Sequence, residues 1–96
     1  MYTIDEIGSK VSPIAQAYGV GKLSVFGSYA RGNATPTSDV DFRIVEDGGL
    51  QGLIKLAGFC RELQDSLNVS VDVLTNDALS PDFLNRIKDE EVIVYE

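Results

Sequence analysis

The run VFGSYARGNATPTSDVDFRIV, residues 25–45, leaves this chain few ways to fold. Its first residues close an apolar, strand-forming segment, Lys22–Phe26, which Gly27-Ser28 ends abruptly. Tyr29-Ala30-Arg31 reads as a helical turn that Gly32-Asn33 halts, and the polar, proline-containing stretch over 33–38 reads as a loop. A second strand follows over Asp39–Val45. On it Asp39, Asp41 and Arg43 fall on one face, with Val40, Phe42 and Ile44 on the other. Strand, glycine turn, short helix and strand in such quick succession bring free backbone N–H groups and a pair of carboxylates within reach of one another.

The rest of the chain supplies elements to pack against this unit. From Thr3 to Tyr18, Ile4, Ile7, Val11, Ile14, Ala15 and Tyr18 recur at helical spacing, with Asp5 and Glu6 in the first turn and Gly19 as the stop. Pro13 inside this pattern predicts a kink or a restart capped by Ser12. Glu46-Asp47-Gly48-Gly49 reads as a turn. Leu50–Leu67 is the strongest helical pattern, with Leu50, Leu53, Ile54, Ala57, Cys60, Leu63 and Leu67 as its apolar stripe; Gly52 and Gly58 point to close packing. Val69–Thr75 is a third strand, Ser80-Pro81-Asp82 opens a last helix, and Val92–Tyr95 is a fourth strand. The predicted architecture is one α+β domain over residues 1–96, a mixed sheet of about four strands with helices packed on it. The relative direction of the first two strands is left open.

Composition removes whole classes of chemistry. There is no histidine and one cysteine, Cys60, so a Ser-His-Asp triad, a Cys-His pair, a histidine- or cysteine-based zinc site and an internal disulfide are all ruled out. What remains is carboxylates, hydroxyls, Arg and Lys, and any metal they hold is a hard, oxygen-seeking one. The net charge of −7 weighs against direct binding to a nucleic-acid backbone, which needs a basic face. The apolar runs are too short to span a bilayer, and no signal peptide is legible after Met1, which makes the cytoplasm the expected compartment.

Asp39 and Asp41 stand two residues apart on one strand face, with Cα atoms roughly 6.5–7 Å apart. Two like charges so placed repel each other, and a divalent cation relieves them. Magnesium held by one or two carboxylates plus substrate phosphates fits this spacing, whereas an EF-hand does not, because Arg43 and Ile44 stand where an oxygen ligand and a glycine are needed. The bland reading of Asp39-Val40-Asp41 is a helix start capped by Ser38, or a solvated strand edge. At Gly27-Ser28 the glycine lets a phosphate approach the backbone and the hydroxyl can donate to it. Gly27 to Gly32 has the glycines of a Walker A loop, but Asn33-Ala34 replaces its Lys-Ser/Thr. Asp72 completes a carboxylate triad if the third strand lies beside the second. Arg43 can reach triphosphate oxygens or pair with an acid, and Arg31 reads as a surface arginine.

Gly27-Ser28, ten intervening residues, Asp39-Val40-Asp41 and a later Val71-Asp72-Val73 together resemble the nucleotidyltransferase (DNA polymerase β-like) superfamily. The fuller string GSYARGNATPTSDVDFRI resembles its minimal, MNT-domain members, and the likeness extends over nearly the whole chain, including IKDEEVIVYE at its end. Arg43 stands where many such proteins carry an apolar residue. The resemblance implies that Gly27 and Ser28 hold a triphosphate, that Asp39 and Asp41 bind Mg²⁺, and that Asp72 is the third catalytic and metal-binding carboxylate; Arg43, by its place on the Asp41 face, is a further candidate nucleotide contact. The same resemblance implies ATP as the substrate and transfer of AMP to a hydroxyl. No second, acceptor-binding domain is expected in 96 residues. The expected acceptor is therefore a partner protein, and the expected role is that of the antitoxin to a HEPN-domain toxin. Two rivals stand beside it: an antitoxin that acts by contact alone, and a small-molecule (aminoglycoside-like) nucleotidyltransferase assembled as an oligomer.

Overall fold

Thr3 opens the first helix with a reciprocal cap: its hydroxyl accepts from the Glu6 N–H while the Glu6 carboxylate accepts from the Thr3 N–H. The computed structural model describes residues 1–76 and 79–96. That first helix, α1 (Ile4–Tyr18), ends at Gly19, whose φ of 75° turns the chain into the left-handed conformation glycine favours. It runs through Pro13 without a restart, and the Ser12 hydroxyl donates back to the Gly8 carbonyl instead of capping a new helix.

The sheet is built from β1 (Lys22–Phe26), β2 (Val40–Glu46), β3 (Val71–Thr75) and β4 (Val92–Tyr95), in the order β3-β2-β1-β4. β1 is antiparallel to both β2 and β4, while β2 and β3 are parallel, so the sheet is mixed. Parallel neighbours need a crossover, and α3 (Leu53–Leu67) provides it. Two short helices complete the fold, α2 (Ser28–Arg31) directly after β1 and α4 (Pro81–Ile87) before β4. Ser80 caps α4 by accepting from the Phe83 N–H, with Pro81 next in line.

Strand alternation divides the sheet into two chemically distinct faces. Leu23 and Val25 of β1 and Val40, Phe42 and Ile44 of β2 point into a core closed by Ile7, Val11 and Ala15 of α1 and Phe59, Leu63 and Leu67 of α3. The other face carries Ser24, Phe26, Asp41, Arg43 and Asp72, and α4 rests on part of it through Phe83, whose ring meets Phe26 edge-on at 5.7 Å between centroids.

Three element starts depart from the sequence reading, and the first is that of β3, which begins at Val71 rather than Val69. β2 starts at Val40, so Asp39 belongs to the loop that delivers the strand. α3 starts at Leu53, leaving Leu50 buried but outside the helix. The stripe of α3 is also rotated: Leu53 and Ile54 are 82% and 90% exposed, and the buried positions are Phe59, Leu63 and Leu67. The Phe59 side packs against α1. A side chain at Gly58 would meet the Tyr18 hydroxyl at 2.9 Å, and the Tyr18 and Phe59 rings sit 5.5 Å apart.

Candidate active site

Sheet register assembles the acidic residues. Asp41 of β2 is paired with Phe26 of β1 on one side and with Asp72 of β3 on the other. Adjacent strands lie about 4.8 Å apart, which puts the Asp41 and Asp72 carboxyl groups side by side on the face away from the core. Asp39 arrives from a loop that is tied into a tight turn, because the Ser38 hydroxyl accepts from the Thr35 N–H at 2.8 Å and the Ser38 N–H donates to the Thr35 carbonyl at 3.0 Å. Ser38 thus organises a turn and caps no helix. Asp39 and Asp72 are exposed, while Asp41 is half-buried.

Gly27 is fitted to Asp41. Its backbone takes φ 76° and ψ −152°, a region open in practice to glycine alone, and a Cβ built there would stand 2.2 Å from Asp41 Oδ2. The turn between β1 and α2 therefore lies directly against the carboxylate, with Ser28 as the next residue. Burial, then the charge of Asp72, then that of Asp39 push the Asp41 carboxyl up to about 6, with the Arg31 guanidinium opposing the rise. Such crowding of like charge is what a cation relieves. Among the described residues no three acidic side chains are gathered closely enough to enclose a metal by themselves. The Asp41–Asp72 pair with Asp39 beside it could hold a hard divalent cation such as Mg²⁺, which needs only one or two protein carboxylates.

Two consecutive acids at the α4–β4 junction, Glu90 and Glu91, complete the surroundings, and sequence patterning gave no hint of either. Glu90 Oε2 accepts from the Gly27 N–H and from Arg31 Nη1, both at 3.0 Å, so it supports the turn from below and fixes Arg31. Arg31 is thereby more than an independent surface charge. Glu91 takes Arg43: Arg43 Nη2 donates to Glu91 Oε1 at 2.9 Å, Nε donates to Oε2, and Nη1 donates to Asn76 Oδ1 at 2.7 Å. Buried Ser24 donates to the same Glu91 at 2.6 Å, and Asn76 donates to the Val45 carbonyl at 2.8 Å. The Arg43 hydrogen bond holds the Glu91 carboxyl below its ordinary range, and burial works against it. Of the residues expected to touch substrate, the fold brings Gly27, Asp41 and Asp72 into direct juxtaposition, adds Ser28 and Asp39 at the margins, and engages Arg43 in a clamp that joins β1, β2 and Asn76, the residue after β3, to the α4–β4 junction.

A cavity of about 360 Å³ opens on the β1 side of Asp41, between the Gly27 turn and α4. No helix among the described residues is long and apolar enough to cross a membrane.

The nucleotidyltransferase domain family matches residues 9–94. A Methanocaldococcus jannaschii protein whose name assigns it as a protein adenylyltransferase is 42% identical over 91 residues, covering 95% of this chain and 97% of that protein. The protein adenylyltransferase MntA of Thermococcus cleftensis is 31% identical, covering 98% of each. Among solved structures, a minimal nucleotidyltransferase superposes with a TM-score of 0.78 at 24% identity over 95% of both chains. A chain of the complex between an MNT antitoxin and a tri-AMPylated Shewanella oneidensis HEPN toxin superposes with a TM-score of 0.70 at 14% identity, covering 96% of this chain and 71% of that one.

Proposed function

Since this chain belongs to the nucleotidyltransferase domain family, we propose that it transfers AMP from ATP to a hydroxyl on a partner protein, and that the partner is a HEPN-type toxin which it restrains as a cytoplasmic antitoxin. The observation that carries the catalytic part is the contact between Gly27 and Asp41 with Asp72 in register beside them: a phosphate-compatible turn and two carboxylates in one row. The names of the relatives in Methanocaldococcus and Thermococcus, both protein adenylyltransferases, support a protein acceptor over a small molecule. Solved toxin–antitoxin complexes of the same fold, one with AMP-PNP and one with an AMPylated toxin, support the choice of nucleotide and partner.

Each residue has a part in the reaction. Ser28 donates its hydroxyl to a phosphate oxygen of the leaving end, and Gly27 admits that phosphate to the backbone. Asp39, Asp41 and Asp72 would hold Mg²⁺, which when bound supplies charge neutralisation on the phosphates. Asp72, on an edge strand and exposed, faces the incoming acceptor and takes its proton. The acceptor oxygen forms its bond to the α-phosphorus, the bond from that phosphorus to the bridging oxygen of the β-phosphate breaks, and pyrophosphate leaves. Positioning and charge stabilisation carry most of such a transfer. Arg43, held by Glu91 and Asn76, acts on the nucleotide through the sheet it braces.

The test is transfer of labelled AMP from ATP to the toxin that co-purifies with this chain. Label on the toxin, absent with Asp41→Asn and Asp72→Asn, supports the proposal. Full neutralisation of the toxin by Asp41→Asn without any label would replace it with an antitoxin that works by contact alone.

A further inference from the structure

Beyond Asp72 the sheet ends at β3, whose outer edge has no strand beside it among the described residues. The Val40 N–H donates to the Ser70 carbonyl at 3.0 Å, which sets the alternation of this parallel ladder: Asp72 and Leu74 turn their backbone groups toward β2, while Val71, Val73 and Thr75 turn theirs outward. The Val71 N–H is met by the Gln64 side chain, at a long 3.3 Å. β3 carries neither the proline nor the lysine that commonly block such an edge. On its α3 side opens a cavity of about 320 Å³ lined by Ile44, Leu50, Leu53, Leu56 and Thr75, with Asp47 among its walls. Leu53 and its neighbour Ile54 are more exposed than any other large apolar side chain among the described residues.

We propose that the acceptor protein docks here as an added strand, an extended segment that pairs with the outer edge of β3 and presents its hydroxyl beside Asp72. The inference rests on the reading of a protein acceptor and adds to it how that acceptor is held. Phe26, Asp41 and Asp72 run in register across β1, β2 and β3, so the next place in the row lies on the added strand, about 4.8 Å beyond Asp72. A hydroxyl there passes its proton to Asp72 as its oxygen bonds the α-phosphorus and pyrophosphate leaves. Strand faces alternate, so residues one and three places along the segment turn to the α3 side, where the cavity beside Thr75 takes an apolar side chain. Asp39, Asp41 and Asp72 on one face, Asp47 on the other and a net charge of −7 select a segment without acids and with basic flanks.

The probe is the peptide Lys-Val-Thr-Val-Tyr-Val-Thr-Val-Lys, added in millimolar excess to the full chain. It is expected to slow hydrogen exchange of the outward Val73 and Thr75 amides by at least about tenfold, and to leave those of Asp72 and Leu74, already paired with β2, unchanged. With ATP and Mg²⁺, its tyrosine is expected to take AMP. N-methylation of the valines beside that tyrosine, which leaves the protein untouched, should lower transfer by at least about tenfold, and so should Val73→Pro, which deletes an outward donor. Leu53→Ala, on an exposed side chain, should lower it severalfold in a folded protein. No protection at Val73 and Thr75, or transfer undiminished by N-methylation, overturns the added strand and leaves the nucleotide site standing. Protection without transfer, in a wild type that binds ATP, overturns the placing of the acceptor beside Asp72. Failure of the folded wild type to bind ATP with Mg²⁺ overturns the nucleotide reading and this inference with it.

Discussion

At Gly27 two demands meet on one atom. The turn needs a backbone conformation that only glycine adopts readily, and Asp41 needs the space a side chain would fill. Gly27→Ala is therefore expected to cost about 2 kcal/mol in strain and to displace the carboxylate, lowering transfer activity by about a hundredfold. Denaturation and turnover measured on the same preparation check both. The Arg43–Glu91 pair has a different character. With both side chains nearly buried, removing one partner strands the other: Arg43→Leu is expected to cost about 2–4 kcal/mol in urea denaturation, and the double variant Arg43→Leu/Glu91→Leu to recover part of that loss. Because Arg43 depresses the Glu91 carboxyl, its stabilisation is complete above the unfolded value near 4.5 and is lost as pH falls through the folded value. The stability advantage of the wild type over Glu91→Gln should accordingly be full at neutral pH and shrink below about pH 4.5. The sequence showed that Arg43 was an unusual choice on that strand. Its partner was hidden because Glu91 lies 48 positions away and its approach depends on how α4 returns to the sheet.

The elements differ in how far their pattern alone defines them. β1, the Gly27-Ser28 turn and α4 with its Ser80-Pro81 start are local structures, written in adjacent residues, and they form where the pattern predicts. α3 is the instructive exception. The expected stripe runs from Leu53, Ile54 and Ala57 to Leu63 and Leu67; Leu63 and Leu67 are buried as expected, but Phe59 joins them in place of Leu53 and Ile54, and periodicity does not say which edge of the stripe turns inward. Packing does, because Phe59 is fully buried with its ring 5.5 Å from that of Tyr18 of α1. Phe59→Ala is expected to destabilise the fold by about 3–5 kcal/mol, whereas Leu53→Ala is expected to stay within about 0.5 kcal/mol of the wild type, as chemical denaturation of the two will show. The starts of β2 and α3 fell one to three residues late for a similar reason. Ser38 closes its own turn with Thr35, and Leu50 is buried from a loop before the helix begins.

In the whole molecule, the site exists because the sheet is mixed. Antiparallel pairing of β1 with β2 sets the glycine turn against Asp41, and parallel pairing of β2 with β3 places Asp72 on its other side, so three separate segments contribute to one row. The spacing of Gly27-Ser28 and Asp39-Val40-Asp41 was legible because both lie in one short run. The third acid could be assigned its place only once β3 was known to neighbour β2. Phe83 and Arg86, which face Phe26 and Arg31 across the cavity, and Glu90 beneath the turn belong to a segment more than fifty residues beyond Gly27, out of the reach of any local pattern. What this row is for can be asked calorimetrically with ATP, with and without Mg²⁺, for the wild type and for Asp41→Asn, after both are shown to be folded. A magnesium-dependent binding isotherm in the wild type, weakened by at least about tenfold in Asp41→Asn, is the predicted result. Equal binding by the two proteins, or none by the folded wild type at high ATP, would contradict a nucleotide site built on Gly27, Asp41 and Asp72.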